Sequence, residues 1–284
     1  MFKRKSVASY KMNIPSQVIS VWGPGGNNTA NYCLNLAREL SEYTHVLLVE
    51  LPCLGIPHLC FAANVLDRNN HVEAALTEFW YKGEISLDNI HKVDENLAIM
   101  PISAFANPTN PLSLRVELDV LISFPVQLIN SARMKGYNVV IFNCQGQLTH
   151  PMTFFALKNS DRIIIPVHEP STIAFSLLNI TKLIYTFKAS PEKFIVVSSK
   201  NVESISEVMY IKNENQDVIS IKSCTDSVDK IIKYLFSQDK EDTIITRKNK
   251  KSKVKYNKYS TEELSNNIKE ILDDELLAVN KSKG

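Results

Sequence analysis

The chain has 284 residues, of which 44% are hydrophobic and 22% are charged, enough for one large α/β domain or two small domains. Its formal charge of +2 is unevenly distributed, because residues 247–284 carry ten basic and six acidic residues while residues 1–246 carry 22 and 24. This balance excludes a basic, nucleic-acid-binding body and assigns any attraction to polyanions to residues 247–284.

Residue types in the chain favour a cytoplasmic protein. The five cysteines are scattered without a C-x-x-C pair, which is typical of reduced thiols in a cytosol. The basic start at residues 1–5 is not followed by an apolar segment of signal-peptide length. No run reaches the roughly 18–20 apolar residues of a membrane helix. We therefore expect contact with a membrane only through a surface or a partner. The histidine spacing predicts no metal site.

Short β-rich runs alternate with longer helical patterns along the chain, which indicates parallel βαβ units. The predicted strands are Val18–Trp22, His45–Leu51, Leu97–Pro101, Asn138–Asn143, Arg162–Val167, Phe194–Ser198 and Val218–Ile221. The predicted helices are Asn28–Ser41, His71–Tyr81, Leu112–Lys135, Thr172–Phe187 and Ser227–Phe236. Pro125 is expected to kink or restart the third helix. The fold class is therefore α/β, with a mostly parallel sheet of about seven strands flanked by helices.

A glycine-rich turn joins the first predicted strand to the first predicted helix. This strand–loop–helix order is that of phosphate loops, in which backbone N–H groups at a helix N-terminus bind phosphate. The candidate phosphate-binding residues are Gly23, Gly25, Gly26, Asn27, Asn28, Thr29 and Ala30. A plain tight turn capped by one of the polar residues is the alternative. Such loops use a lysine and a Mg²⁺-binding hydroxyl, yet no lysine lies between Lys11 and Lys82.

Five segments carry motifs that follow one another in the order of a known family. They are Val18–Ala37 with its closing "NLA", Val46–Pro52, Asn96–Pro101, Gly136–Asn143 and Ser160–Val167. The last four are similar to "VLLIDxD", "NLxVLP", "YDxVIIDxPP" and "ADxVLIPV". Through these motifs, residues 16–236 resemble the MinD/ParA group of deviant-Walker P-loop ATPases. The resemblance implies a nucleotide-binding α/β domain.

The chain departs from the family at the charged positions. Aligned through the "NLA", the family's signature lysine falls on Pro24, its phosphate-gripping lysine on Thr29 and its magnesium-ligating threonine on Ala30. The Walker-B carboxylate position is Asn143. The resemblance therefore implies a degenerate member with no catalytic residue, no metal, and either no cofactor or weakly bound ATP or ADP. A threonine at position 29 is also similar to the TadZ/CpaE branch, which localises pilus and secretion machinery.

Three polar positions at predicted strand ends have less specific interpretations. Glu50 could position water or a metal ion, but because Pro52 takes the second carboxylate position we favour a structural or surface carboxylate. Asn143 could hydrogen-bond a phosphate or a water, but we expect it to satisfy local backbone groups at the end of its strand. Residues 168–171 favour a plain helix start over a ligand-binding loop.

Composition changes after Phe236. Residues 237–259 are polar and lysine-rich and are predicted to form a basic linker. Residues 260–284 begin with a capping box and continue with apolar residues at helical spacing, which predicts an amphipathic tail helix. Residues 247–258 could contact DNA or anionic lipid without sequence specificity, or serve as a solvated spacer. The tail helix could dock on a protein partner or fold back on the body.

These patterns divide the chain into an N-terminal extension (1–15), a degenerate MinD/ParA-like domain (16–236), the linker and the tail helix. The family's fold is expected to be kept while its charged positions are replaced, which favours a non-hydrolysing scaffold or localisation factor. It would serve a pilus or secretion apparatus, a conjugation system or a division machine. Alternatives are a ParA-type DNA or plasmid partitioning factor and an atypical ATP-binding ATPase. Because Pro24 cannot replace the lysine that crosses the family's dimer interface, any homodimer should form independently of ATP.

Overall fold

A computed structural model describes most of the predicted α/β domain. The described residues are 15–24, 29–52, 56–66, 69–88, 90–107, 109–144, 146–198, 208–212, 218–225, 231, 232 and 235. The predicted linker and tail helix lie outside them, as does all but one residue of the predicted extension. The chain divides into two compact units, residues 1–211 with 219–237 and residues 212–218 with 238–284. Only two residues of the second unit are described, each at the end of a strand.

Nine strands of the described chain form one sheet in the order β3-β4-β2-β5-β1-β6-β7-β9-β8. They are β1 (Gln17–Trp22), β2 (Val46–Glu50), β3 (His91–Lys92), β4 (Leu97–Met100), β5 (Val139–Cys144), β6 (Arg162–Val167), β7 (Phe194–Ser198), β8 (Val208–Lys212) and β9 (Val218–Thr225). In this spatial order, the seven strands β4, β2, β5, β1, β6, β7 and β9 are each parallel to their neighbours within the set. They are the seven strands predicted from the sequence. The short β3 pairs antiparallel with β4. The mostly parallel α/β fold is thus confirmed, with two additional strands.

Helices cover both faces of the sheet. They are α1 (Ala30–Ser41), α2 (Leu59–Ala62), α3 (Val72–Lys82), α4 (Leu118–Met134), α5 (Pro151–Asn159) and α6 (Pro170–Phe187). Helices α3 to α6 pack on one face and contribute to one core cluster. The other face is covered by α1 and α2, together with Ile231, Ile232 and Leu235 from the last predicted helix. Alternate residues of a strand point to opposite faces, so each of the seven parallel strands supplies both clusters, which explains their nearly continuous apolar sequences.

The predicted restart of the helix at Pro125 is wrong. Helix α4 runs without a break through Pro125, which is buried inside it. The predicted helix Leu112–Lys135 is instead divided near its start, into a short 3₁₀ turn at Leu112–Leu114 and α4 from Leu118. Proline removes one backbone hydrogen bond from a helix, but α4 continues past Pro125.

Candidate functional site

The candidate site lies at the carboxyl edge of the sheet, where ligands of open α/β sheets usually bind. Strand β1 is central, between β5 and β6, and leads towards α1. Residues 25–28 of the predicted phosphate loop lie outside the described residues. The remaining candidates, Gly23, Thr29 and Ala30, are all buried around the start of α1. The structure therefore brings the two ends of the predicted loop to the expected edge of the sheet.

Thr29 precedes the first residue of α1, but its side chain makes no capping hydrogen bond. Its hydroxyl instead donates to Oδ1 of Asn143, at a distance of 2.5 Å. The thiol of Cys33, one turn further along α1, donates to the same oxygen at 3.4 Å. Burial raises the pKa of Cys33 well above its usual value, so the thiol keeps the proton that it donates. The positions aligned with the family's lysine and Walker-B carboxylate thus contact each other directly.

Asn143 is placed by the register of the sheet between Val21 of β1 and Glu50 of β2. Its backbone carbonyl accepts a hydrogen bond from the N–H of Leu51, at 3.1 Å. The expectation that its side chain satisfies local backbone groups is wrong, because the amide joins side chains from α1 and β2. An amide can bridge donors and acceptors in this way, whereas a second carboxylate beside Glu50 would add repulsion.

Glu50 is completely buried at the end of β2. Its Oε1 accepts the backbone N–H groups of His58 and Leu59 at 3.1 Å each, and its Oε2 accepts that of Ile102 at 3.1 Å. The side-chain amide of Asn143 adds a long contact of 3.5 Å to Oε1. Glu50 is therefore the structural carboxylate of the two alternatives and not a surface group. Burial raises its pKa to about 7, against the opposing effect of the backbone hydrogen bonds.

The described part of this site contains no positive charge. Within the described ranges, no lysine or arginine forms a hydrogen bond or ion pair with Thr29, Asn143 or Glu50. The same ranges contain no group of three metal-ligating side chains close enough to hold an ion. Binding of a triphosphate requires cationic side chains, and binding of its magnesium ion requires a hydroxyl and a carboxylate. Among the described residues of this site no cation is present, and the hydroxyl of Thr29 is already hydrogen-bonded to Asn143.

Other predicted positions have structural roles. Helix α6 begins at Pro170 with a capping box formed by Glu169 and Thr172, which confirms the plain helix start predicted for residues 168–171. Sequence reasoning missed the contact of Cys33 with Asn143. Cys33 follows Thr29 by four residues, so both side chains lie on the same face of the helix. This spacing was the signal in the sequence that could have predicted the contact. No helix among the described residues is both long and apolar enough to cross a membrane.

Comparisons with known proteins support the fold assignment. No protein-family model and no curated protein sequence matches the chain significantly. A plasmid partition protein from Borrelia burgdorferi is similar in structure, with 17% identity over 78% of this chain and 96% of its own, at a TM-score of 0.55. A ParA family ATPase from Chlorobium tepidum TLS is also similar in structure, with 16% identity over 65% of this chain and 74% of its own, at a TM-score of 0.52.

The septum site-determining protein MinD from Pyrococcus horikoshii OT3, solved with Mg-ADP, gives 17% identity over 66% of this chain and 72% of its own, at a TM-score of 0.50. At these identities the likeness concerns the fold alone. The chain has the α/β fold of MinD/ParA-like P-loop NTPases.

Proposed function

We propose that this chain is a degenerate MinD/ParA-like protein that does not hydrolyse ATP and acts as a scaffold or localisation factor for a larger assembly. The hydrogen bond between Thr29 and Asn143 carries the proposal. It joins, without a charge, the two positions at which the family has a phosphate-gripping lysine and a Walker-B carboxylate. The assembly would be a pilus or secretion apparatus, a conjugation system or a division site, and residues 260–284 would dock on a protein of that assembly.

The lost groups should weaken triphosphate binding strongly. One charge-assisted hydrogen bond contributes about 1.5–3 kcal/mol. Loss of the two lysines would then reduce affinity by roughly 10²- to 10⁴-fold, at about 1.4 kcal/mol per decade, and loss of the metal ligand would reduce it further. Hydrolysis should suffer more, because phosphoryl transfer relies on cations to neutralise developing charge.

An ATPase assay on the full chain tests this proposal. We expect no magnesium-dependent hydrolysis above about 0.01 s⁻¹, far below typical enzyme turnover. Faster hydrolysis would contradict the proposal and favour the atypical ATPase, with a lysine supplied from elsewhere. The triple variant Thr29→Lys, Ala30→Thr, Asn143→Asp should gain at least tenfold in magnesium-dependent ATP affinity. The matched control carries Thr29→Gln instead of Thr29→Lys and should gain less, because glutamine supplies no positive charge.

Self-association should not depend on nucleotide. The family's signature lysine reaches across the dimer interface, and Pro24 at the aligned position offers no charge to do so. Light scattering with and without ATP should therefore give the same molar mass for the full chain. An ATP-triggered dimer would contradict this part of the proposal.

A plasmid partitioning factor is the second candidate function. It is supported by the similarity to the Borrelia burgdorferi plasmid partition protein, which covers 96% of that protein. The seven basic residues between positions 247 and 258 would then bind DNA without sequence specificity. Such binding should weaken steeply with salt and disappear when residues 247–284 are deleted. If the full chain does not bind DNA, this candidate function is excluded.

A further inference from the structure

Four basic side chains lie together at the amino edge of the sheet, opposite the candidate site. Arg162 begins β6, and Lys193 directly precedes β7, its parallel neighbour in the sheet. Lys158 lies in the last turn of α5, and Lys188 follows the last residue of α6. The ammonium group of Lys193 donates to the backbone carbonyl of Lys158 at 3.4 Å, which connects the two elements. We call these four residues the basic edge.

Aromatic rings join the ends of α5 and α6 within this surface. The ring of Phe187, which precedes Lys188, lies 4.7 Å from that of Phe154, and the ring of Phe155 lies 5.3 Å from that of Phe154. The ammonium group of Lys158 lies over the ring of Phe155, 5.6 Å from its centroid. Phe187 is 45% exposed. The basic edge thus flanks a large apolar side chain that is open to solvent.

The positive charge of the basic edge is only partly compensated. The carboxylates of Asp161 and Glu192 neighbour it in the chain, so four basic and two acidic residues leave a net charge of +2. The pKa of Glu192 is lowered chiefly by a hydrogen bond from Ser190 and to a smaller extent by the charges of Arg162 and Lys193. Within the described ranges, none of the four basic side chains forms an ion pair with a carboxylate.

Structural roles account for only part of this charge. Lys158 and Lys188 stand at helix C-termini, where the helix dipole stabilises a cation. Arg162 and Lys193 do not stand at the end of an α-helix. Residues 1–246 carry a net charge of −2, so the sequence alone predicts attraction to polyanions only for the C-terminal segment. The fold changes that prediction, because it gathers cations from four separate elements on one surface.

We propose that the basic edge is a membrane-binding surface, which places its cations on anionic lipid headgroups and Phe187 at the boundary of the acyl chains. Surfaces that combine lysine or arginine with exposed aromatic side chains bind anionic membranes in this manner. Each cation near such a membrane strengthens binding by about fivefold. A nucleic acid offers phosphate groups but no apolar layer for Phe187, so the exposed ring favours a membrane. This surface would serve the proposed localisation role and rests on it, whereas the ATPase assay above is independent of lipid binding.

Co-sedimentation of the full chain with vesicles tests this surface, with about 30% phosphatidylserine in phosphatidylcholine as the anionic probe. We expect binding to these vesicles and roughly tenfold weaker binding, or less, to phosphatidylcholine alone. Lys158→Gln combined with Lys188→Gln should weaken binding to the anionic vesicles by roughly 25-fold, because two cations are removed. Phe187→Ser should weaken vesicle binding several-fold and leave binding to a DNA duplex unchanged.

The matched control is Lys82→Gln combined with Lys135→Gln, which removes the same charge from two exposed lysines elsewhere on the domain. Lys82 pairs with Glu78 at 3.4 Å and Lys135 with Asp88 at 2.7 Å, and such surface pairs contribute little to stability. This control should lose less than about threefold in vesicle binding, because charges distant from the membrane are screened. Equal effects of the two double variants would overturn the proposal, since binding would then depend on net charge or on residues 247–258. Failure of the full chain to bind the anionic vesicles, with or without binding to DNA, would also overturn it and would leave the ATPase prediction untouched.

Discussion

Buried polar side chains are hydrogen-bonded in different ways at two neighbouring parts of the sheet edge. At the end of β1, neutral side chains bond one another through the hydroxyl of Thr29 and the amide of Asn143. At the ends of β2 and β4, the carboxylate of Glu50 is kept inside the protein and compensated by backbone N–H groups. The first arrangement can lose a partner at moderate cost, whereas the second cannot. The comparison indicates that Glu50 supports the architecture of the edge, while Thr29 and Asn143 form a neutral contact beside it.

The largest expected effect in this comparison is that of Glu50→Ala. This change leaves the buried backbone N–H groups of Leu59 and Ile102 without an acceptor, at about 1–3 kcal/mol each, and adds a smaller cost for the partly exposed N–H of His58. The free energy of unfolding should fall by about 3–6 kcal/mol, measured by urea denaturation. Glu42→Ala is the control, because surface substitutions usually change stability by less than about 0.5 kcal/mol. A Glu50→Ala protein as stable as this control would refute the supporting role.

The next effect is a loss of stability with rising pH. The pKa of Glu50 is raised to about 7 in the folded protein from a usual 4.5. Its contribution is therefore fully present below pH 4.5 and is lost as pH rises through 7. The change in unfolding free energy should be at most about 3 kcal/mol. Denaturation between pH 5 and pH 8 should show this decline in the wild type and a smaller decline in Glu50→Gln; equal declines would assign it to other groups.

The smallest effect is expected for Thr29→Val, which removes one hydroxyl and keeps the shape of the side chain. Oδ1 of Asn143 would keep only the weak thiol donor of Cys33. The expected cost is about 1–2 kcal/mol in urea denaturation. Thr186→Val on the exposed side of α6 is the matched control and should be nearly neutral. A Thr29→Val cost as small as the control's would mean that the hydroxyl of Thr29 adds nothing to the site.

The fold was largely predictable from the sequence, because strands buried on both faces have an unbroken apolar signal. Strands β3 and β8 were missed at the two margins of the sheet: β3 has only two residues, whereas β8 contains the apolar run 208–211, a signal that was available. Helix α5 was also missed, since its apolar residues surround the helix instead of forming one stripe. Such elements depend on tertiary contacts that local patterns do not contain.

The chemistry of the site was predictable only position by position. Motif order predicted that Thr29 and Asn143 stand where the resembled family has charged residues. It did not predict their hydrogen bond, which joins residues 114 positions apart. The three backbone bonds of Glu50 were missed for the same reason, since one of them comes from Ile102, 52 positions away.

Calorimetric titration of the full chain with ATP and Mg²⁺ tests the central claim most directly, which is that the phosphate-loop architecture persists without its charges. We predict no saturable, magnesium-dependent heat below about 1 mM ATP, where even a weak complex would be detected. Saturable binding at micromolar ATP that requires Mg²⁺ would contradict the account.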